Sequence, residues 1–403
     1  MSFVGLVVLA ATLAGAGLFL SPWMLRSELW RATVTPLASI IGSGFLVLGP
    51  ILAHAFGMWA TTAMAALCIA AWGFGAAIRY NIAYAEPLPE GEDVLVDRLE
   101  TFSGAALAGA YIVSVAYYLN LFGAFGVSLT PFNGAFEGRA LTSAMLIGLL
   151  ALGWFKGFTA MEKVEMLTVA IKLAVIAGLV AGLAVYFFDR AGAGALKFSA
   201  PHLGPWASFT LCLGLIVTVQ GFETARYIGG AHTAPVRIRA MRLAQGLAVV
   251  IYLVYTVFLS FSFSVDPGAL SETAIIDMMA VVAPLLPFLL VAAALAAQAS
   301  AAIADAGGAG GLGAELTGGR LSPKASYAAL VAAGLALTWG SDIFTIISYA
   351  SRAFAFYYAL QATIACRLAL RRDERPKAMI FGLIAALGLA AAILGAPAEG
   401  KAG

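Results

Sequence analysis

Charge is what this chain has least of. Asp, Glu, Lys and Arg together make up 11% of its 403 residues, where soluble proteins carry about 25%. Acids and bases nearly cancel, 21 against 23, for a formal net charge of +2. Neither the balance nor any basic run points to nucleic acid, and no nucleic-acid partner is expected. Histidine is also scarce: His54, His202 and His232 are too scattered to make a metal cluster, so no metal and no other cofactor is expected. Cys68, Cys212 and Cys366 lie far apart in apolar stretches and read as small hydrophobes rather than a disulfide framework. Hydrophilic stretches are short. None is long enough for a soluble domain, and no His-Glu-x-x-His or Gly-x-Ser-x-Gly motif is present, so the chain is not expected to be an enzyme.

What the chain has in abundance is apolar surface. Apolar residues account for 62% of the sequence, and the mean hydropathy is +0.94. No soluble core hides that much, so lipid must be the solvent. A spanning helix needs about 20 mainly apolar residues. Twelve stretches qualify, near 2–20, 34–56, 58–79, 101–128, 140–155, 164–187, 206–229, 243–264, 284–315, 326–339, 343–368 and 378–395. Residues 271–283 read as a partial helix lying on a surface.

Cation placement tests this layout. With the loop after the first helix in the cytoplasm and strict alternation from there, sixteen cations fall inside: Arg26, Arg31, Arg79, Arg98, Lys156, Lys163, Arg237, Arg239, Arg242, Arg320, Lys324, Arg367, Arg371, Arg372, Arg375 and Lys377. Only Arg139, Arg190, Lys197 and Lys401 fall outside, while Lys172, Arg226 and Arg352 lie within helices. That bias follows the positive-inside rule. It predicts twelve spans with both termini outside, in a membrane such as the bacterial cytoplasmic membrane. Residues 2–20 read alternatively as a signal peptide, but no Lys or Arg precedes the apolar run, and the first positive charges follow it.

Two of the apolar stretches are interrupted. The one at 34–56 carries Gly42-Ser43-Gly44, with Pro50 two turns later. Glycine weakens a helix, and backbone groups freed at mid-membrane are tolerated only against protein or a polar cavity. The same glycines equally read as a small-residue packing face. The stretch at 206–229 carries Gly221-Phe222-Glu223-Thr224, a glycine and an ionisable acid together. Counted from the helix at 34–56, it is the sixth. Interrupted helices at matching positions of two five-helix halves are the mark of an inverted-repeat transporter. Half-helix N-termini then offer N–H groups to an anionic part of a substrate.

At these motifs the sequence resembles a known family. Gly42-Ser43-Gly44-Phe45 with Pro50 is similar to the first-helix motif of the amino acid–polyamine–organocation (APC) superfamily. Gly221-Phe222-Glu223, followed by Pro235, Arg237 and Arg239-Ala240, resembles that family's sixth helix and the loop after it. Tyr84-Ala85-Glu86 through Pro89-Glu90-Gly91 is similar to its second-to-third-helix loop, and Leu321-Ser322-Pro323 to the end of its eighth helix. The sequence departs from the pattern in two places. Gly229-Gly230 replaces the usual acidic pair, and Ala234 replaces the Asn before the proline. The resemblance implies an all-α integral membrane protein of LeuT-like fold: an extra helix and cytoplasmic linker over 1–33, one five-helix repeat over 34–187, its inverted partner over 206–370, and a final helix and tail over 371–403.

Ionisable groups at membrane depth mark candidate sites, since each costs at least about 2.5–3.5 kcal/mol to insert. Lys172 lies ten residues beyond Glu162, Asp305 ten residues before Glu315, and Gly42 eleven beyond Arg31. At 1.5 Å per residue these features from three helices sit at one level, roughly 15 Å deep. In the resembled fold, Ile171-Lys172-Leu173 looks like the pattern of sodium-independent members, whose lysine ammonium stands where others hold a sodium ion. Lys172 is therefore expected to pair with Asp305 and to take part in coupling to protons; the competing reading is a static ion pair between helices. The resemblance also makes Glu223 proton-sensitive and adjacent to substrate; the competing reading is a carboxylate that only satisfies the broken backbone. Arg226 is placed to pair with Glu223 on one helical face, and Arg352 to contact a carboxylate or line an inner vestibule. Tyr117, Tyr118 and Asn120 read as core packing before they read as pocket.

The expected substrate site is thus Gly42, Ser43, Gly44, Gly221, Phe222, Glu223 and Thr224, with Lys172, Asp305 and Glu223 coupling. The function expected is a secondary transporter of amino acids or related small amines, proton-coupled or sodium-independent, working by alternating access in a lipid bilayer. The alternatives are an inorganic-ion transporter on the same fold, against which Ser43 between glycines argues, and a non-transporting membrane subunit.

Overall fold

The computed structural model of the protein describes residues 2–42, 44–155, 162–227, 231–265, 270–320 and 322–398, without the side chains of 162–165 and 315. Ser43, Lys156, Gly229, Gly230, Leu321 and Lys401, and the side chains of Glu162, Lys163 and Glu315, lie outside that description.

The described chain is helical almost throughout. It begins with α1 (Phe3–Phe19), the short α2 (Pro22–Arg26) and α3 (Glu28–Ile40), then α4 (Gly44–Phe56), α5 (Ala60–Tyr84), α6 (Val94–Val127), α7 (Ala135–Phe155) and α8 (Glu162–Gly192). There follow α9 (Pro205–Gly214), a 3-10 turn at Ile216–Val219, α10 (Thr224–Tyr227), α11 (Ala234–Ser262), α12 (Ala274–Val282), α13 (Leu286–Leu316), α14 (Pro323–Gly340), α15 (Ile343–Arg371) and α16 (Arg375–Leu394). Each of the twelve predicted apolar stretches overlaps one or more of these helices among the described residues, those at 34–56 and 206–229 being split, and the partial helix expected at 271–283 coincides with α12.

Local chemistry marks the helix starts. The Ser27 hydroxyl accepts from the Trp30 N–H at 3.3 Å, Asp93 from Leu95 and Val96, Ser322 from Ala325 and Asp342 from Thr345. Each satisfies an N–H that the first turn leaves without an intrahelical acceptor. The outer faces stay apolar: Ile69, Phe155, Leu383 and Ile393 are all more than half exposed to what would be lipid.

Nine helical stretches among the described residues are long and apolar enough to cross a membrane. One of them, Gly44–Tyr84, runs 41 residues, about 60 Å and twice the thickness of a bilayer core. Gly57 bends it with φ +51°, where a Cβ would collide with the Ser199 and Ala200 carbonyl groups. Helices also run past the expected boundaries. Arg79, expected at the cytoplasmic end of the stretch 58–79, lies inside α5 and is buried; its guanidinium donates to Gln245 of α11 and to the Trp72 carbonyl and stacks over the Trp72 ring.

The packing places the interrupted segments centrally. The long α6 packs along α13 and α15, α11 lies against α3, α4 and α5, and α1 braces α8. Within that frame, α4 and α15 both touch the 3-10 turn at Ile216–Val219. The two breaks meet in the core, at residues that are nearly all buried.

Candidate functional site

The breaks are real interruptions, and each also packs on the other. Helix α3 ends at Ile40 and α4 begins at Gly44; α9 ends at Gly214, and Gln220 to Glu223 carry no helix before α10. Gly221 holds φ +117°, a conformation open to glycine alone among ordinary residues, and a Cβ there would stand 2.5 Å from Ser39. At Gly44 an added Cβ would stand 2.6 Å from the Tyr117 hydroxyl and 3.1 Å from the Thr218 Cα. Both sequence readings of these glycines therefore hold together: they open the backbone, and they let the two open backbones touch.

One side chain ties the breaks. The Tyr252 hydroxyl of α11 lies 2.8 Å from the Ile40 carbonyl and 2.7 Å from the Thr218 carbonyl. It shares its proton between the last carbonyl of α3 and one in the 3-10 turn, neither of which has an ordinary helical partner ahead of it. Beside it Tyr255 reaches toward the Leu46 carbonyl at 3.4 Å, and its ring stacks on Phe45 with centroids 4.3 Å apart.

Glu223 sits at the second break, 1% exposed. Its carboxylate accepts from the Gly221 N–H at 3.0 Å and from the Tyr358 hydroxyl at 2.7 Å. Tyr358 also lies 3.2 Å from Gln220 Oε1, and the Gln220 amide reaches the Tyr118 hydroxyl at 3.5 Å. The rings of Phe74 and Phe222 both stack on Tyr358. The result is a buried, aromatic-walled carboxylate that accepts from a tyrosine hydroxyl and a backbone N–H. Asp305 of α13 is buried and accepts from the Ser114 hydroxyl of α6. Lys172 of α8, 5% exposed, donates to the Ala38 carbonyl at 2.6 Å, near the end of α3. A cation at the C-terminal end of a half-helix is well placed for the helix dipole. Lys172 and Gly42 share a small cavity with Ala294 and Ala297 of α13, so the first break, α8 and α13 adjoin there, but Asp305 is not among the residues that line it. Thr224 turns back, its hydroxyl donating to the Gly221 carbonyl at 2.7 Å. Ser43 lies outside the described residues.

Three expected partners are corrected. The ion pairs among the described residues do not join Lys172 to Asp305: Asp305 meets the Ser114 hydroxyl, and Lys172 reaches the Ala38 carbonyl. Arg226 does not turn to Glu223. It reaches Glu100 of α6 at 2.8 Å and Glu86 at 3.6 Å, and it donates to Gln361 of α15. Glu223 precedes the helical turn that carries Arg226, so the two do not share a helical face. Arg237 completes the cluster, with Glu86 at 2.5 Å and the Arg226 carbonyl at 2.7 Å. Gln361 in turn bonds Ser103 and Asn81. The cluster joins α5, α6, α10, α11 and α15 on the side of the second break where α6 begins. Arg352 lines no inner vestibule; it is exposed and caps the end of α16, donating to the Ala392 carbonyl at 2.8 Å. Missed altogether by the sequence reading were Tyr252, Tyr358, Ser114, Gln361 and Glu100. The one available signal was a hydroxyl or amide inside an apolar stretch, which many packing residues share.

The chain is matched by known proteins over most of its length. A family model described as "APC superfamily transporter" covers residues 22–395. The chain belongs to the APC superfamily of transporters. An uncharacterized protein of Aquifex aeolicus (strain VF5) is 37% identical over 379 residues, which are 91% of this chain and 90% of that one. Among solved structures, a Na+-coupled sialic acid symporter in its substrate-bound outward-open state aligns over 99% of both chains, with a TM-score of 0.51 at 17% identity. That likeness shows the LeuT-like fold of this APC superfamily transporter and nothing of its cargo.

Proposed function

We propose that this APC superfamily transporter moves amino acids or related small amines by alternating access, coupled to protons rather than to sodium. The observation that carries the reading is the joined pair of breaks. Gly221 abuts Ser39, and Tyr252 bonds both open ends, so any movement of one half-helix is felt by the other. A substrate lodged between them biases the whole bundle only through contacts that differ between its two states.

The chemistry around Glu223 supports an amine-bearing cargo. Glu223 is buried among hydroxyl donors with no cation paired to it among the described ion pairs, and a substrate ammonium supplies the missing charge. The N-terminus of α4 offers its first N–H groups to a carboxylate. Lys172 supports sodium independence, since its ammonium brings a fixed positive charge to the Ala38 carbonyl. Asp305 and Glu223, two buried carboxylates, are the groups proposed to take up and release a proton during the cycle. On this reading both termini lie outside the cytoplasm, and the Arg226 cluster closes the cytoplasmic end.

Uptake into proteoliposomes with a panel of labelled amino acids and amines, under pH and sodium gradients imposed separately, tests it. Accumulation driven by the pH gradient alone is expected, and Lys172→Ala should abolish that dependence. Accumulation only with sodium, or full pH-driven uptake by Lys172→Ala, would overturn the coupling. No uptake of any amino acid or amine would overturn the cargo.

A further inference from the structure

At the end of the bundle away from the Arg226 cluster, the end of α6, the start of α7, the start of α12 and the entry to α15 enclose a polar cavity of about 320 Å³. That volume is at the small end of the ~300–1,000 Å³ range of small-molecule sites. Its walls carry both signs of charge: Arg139 on one side, Glu272, Asp277 and Asp342 on the others. Asp342 is already engaged, capping α15 through the Thr345 N–H and hydroxyl at 3.0 and 2.5 Å. Arg139, Glu272 and Asp277 take no part in the ion pairs among the described residues. Opposite charges thus share one cavity without closing on each other.

The cavity wall includes a built acceptor. Asn120 of α6 is 9% exposed, and its amide donates to the Ala116 carbonyl at 2.8 Å and the Thr338 hydroxyl at 2.9 Å. With both amide protons engaged, Oδ1 is the end available to a ligand. One turn back along α6 stands Tyr117, whose hydroxyl abuts Gly44 at the first break. Asn120 at the cavity and Tyr117 at the first break thus lie on neighbouring turns of α6.

We infer that this cavity is a receiving site for the zwitterionic head of an α-amino acid. The planar guanidinium of Arg139 matches a carboxylate. Glu272, Asp277 and Asn120 Oδ1 accept from the ammonium. A molecule lacking either group leaves one side of the cavity uncompensated, which is how a site discriminates by charge. The inference rests on the proposed amino acid cargo and adds a second place where that cargo is read.

The test uses full-length protein in proteoliposomes and the labelled amino acid from the panel that wild type takes up best. Arg139→Gln and Glu272→Gln should each raise the concentration for half-maximal uptake about tenfold or more, the worth of one charge-assisted hydrogen bond, with maximal uptake changed less than about twofold. Arg139→Lys, which keeps the charge but not the fork, should fall between. The decarboxylated amine should compete relatively better against Arg139→Gln than against wild type, a change that a merely structural role would not produce. Should Arg139→Gln fail to fold, Glu272→Gln with the deaminated acid as competitor gives the mirror readout. Wild-type uptake with unaltered half-maximal concentrations and unaltered competition in the variants overturns this inference alone. Wild type that takes up no amino acid overturns it together with the proposed function.

Discussion

Removing the Tyr252 hydroxyl is the sharpest test of how the two breaks are held. Tyr252→Phe keeps the ring against Phe45 and deletes only the oxygen that lies 2.8 Å from Ile40 O and 2.7 Å from Thr218 O. Both carbonyls then lose their shared donor in a site where the tyrosine is 1% exposed. Leaving a buried acceptor unsatisfied costs about 1–3 kcal/mol. At about 2.1 cal/mol/K per residue, 403 residues give an unfolding entropy near 0.85 kcal/mol/K, so the thermal midpoint should fall by roughly 1–4 °C. Uptake should fall further than stability, because the hydroxyl couples the half-helices as well as filling space. Tyr255→Phe is the internal control: its hydroxyl stands 3.4 Å from the Leu46 carbonyl, too long for a strong bond, and its loss should be felt by less than about 0.5 kcal/mol. Thermal unfolding in detergent and uptake in proteoliposomes check both variants. Equal effects of the two substitutions, or none from Tyr252→Phe, would refute the idea that this hydroxyl joins the breaks.

Gly221→Ala places a Cβ 2.5 Å from Ser39 at a φ that disfavours side chains, so the folded yield should drop well below that of a control such as Gly246→Ala, where an added Cβ meets nothing within 4 Å; monodisperse yield on size exclusion measures it. Arg226→Gln removes the cation between Glu100 and Glu86 while Arg237 stays on Glu86, and should weaken closure at that end by about 1–3 kcal/mol; a Ser103→Cys reporter should then label faster with a membrane-impermeant thiol reagent than in the parent, and equal labelling would count against the cluster as a closure. Asp93, at the start of α6 and outside the membrane, is opposed by burial, which raises its carboxyl, but the Val96 and Leu95 N–H groups and Arg367 outweigh this and hold it below its ordinary value of 3.8. Its stabilising contribution is therefore present above that value and lost as pH falls through the folded pKa, so a melting series from pH 6 to pH 3 should show an acid-dependent loss that Asp93→Asn reduces.

Much of the fold was legible in the chain because lipid imposes a simple grammar: length of apolar run, placement of Lys and Arg, and glycine where helices stop. That grammar located the helical segments and both breaks, and it singled out Lys172, Glu223 and Asp305, which the structure buries. It failed wherever partner choice depends on which helices are neighbours. Arg226 was matched to Glu223 by spacing, yet the irregular backbone at 220–223 removed the helical periodicity on which that match relied, and Glu100, far away in sequence, took its place. Arg352 was assigned to a vestibule, yet the packing of α16 on α15 gives it a carbonyl to cap.

By itself, then, the sequence determined a membrane-solvated helical bundle with two interruptions, because hydrophobicity and backbone permissiveness are properties of short segments. The tertiary structure alone decided that the interruptions touch, that Tyr252 joins them, that Tyr358 and Ser114 meet the two carboxylates, and that Arg139 and Glu272 face one cavity. These are contacts between side chains dozens to hundreds of residues apart, and their distances are set by how whole helices pack, which no local pattern encodes.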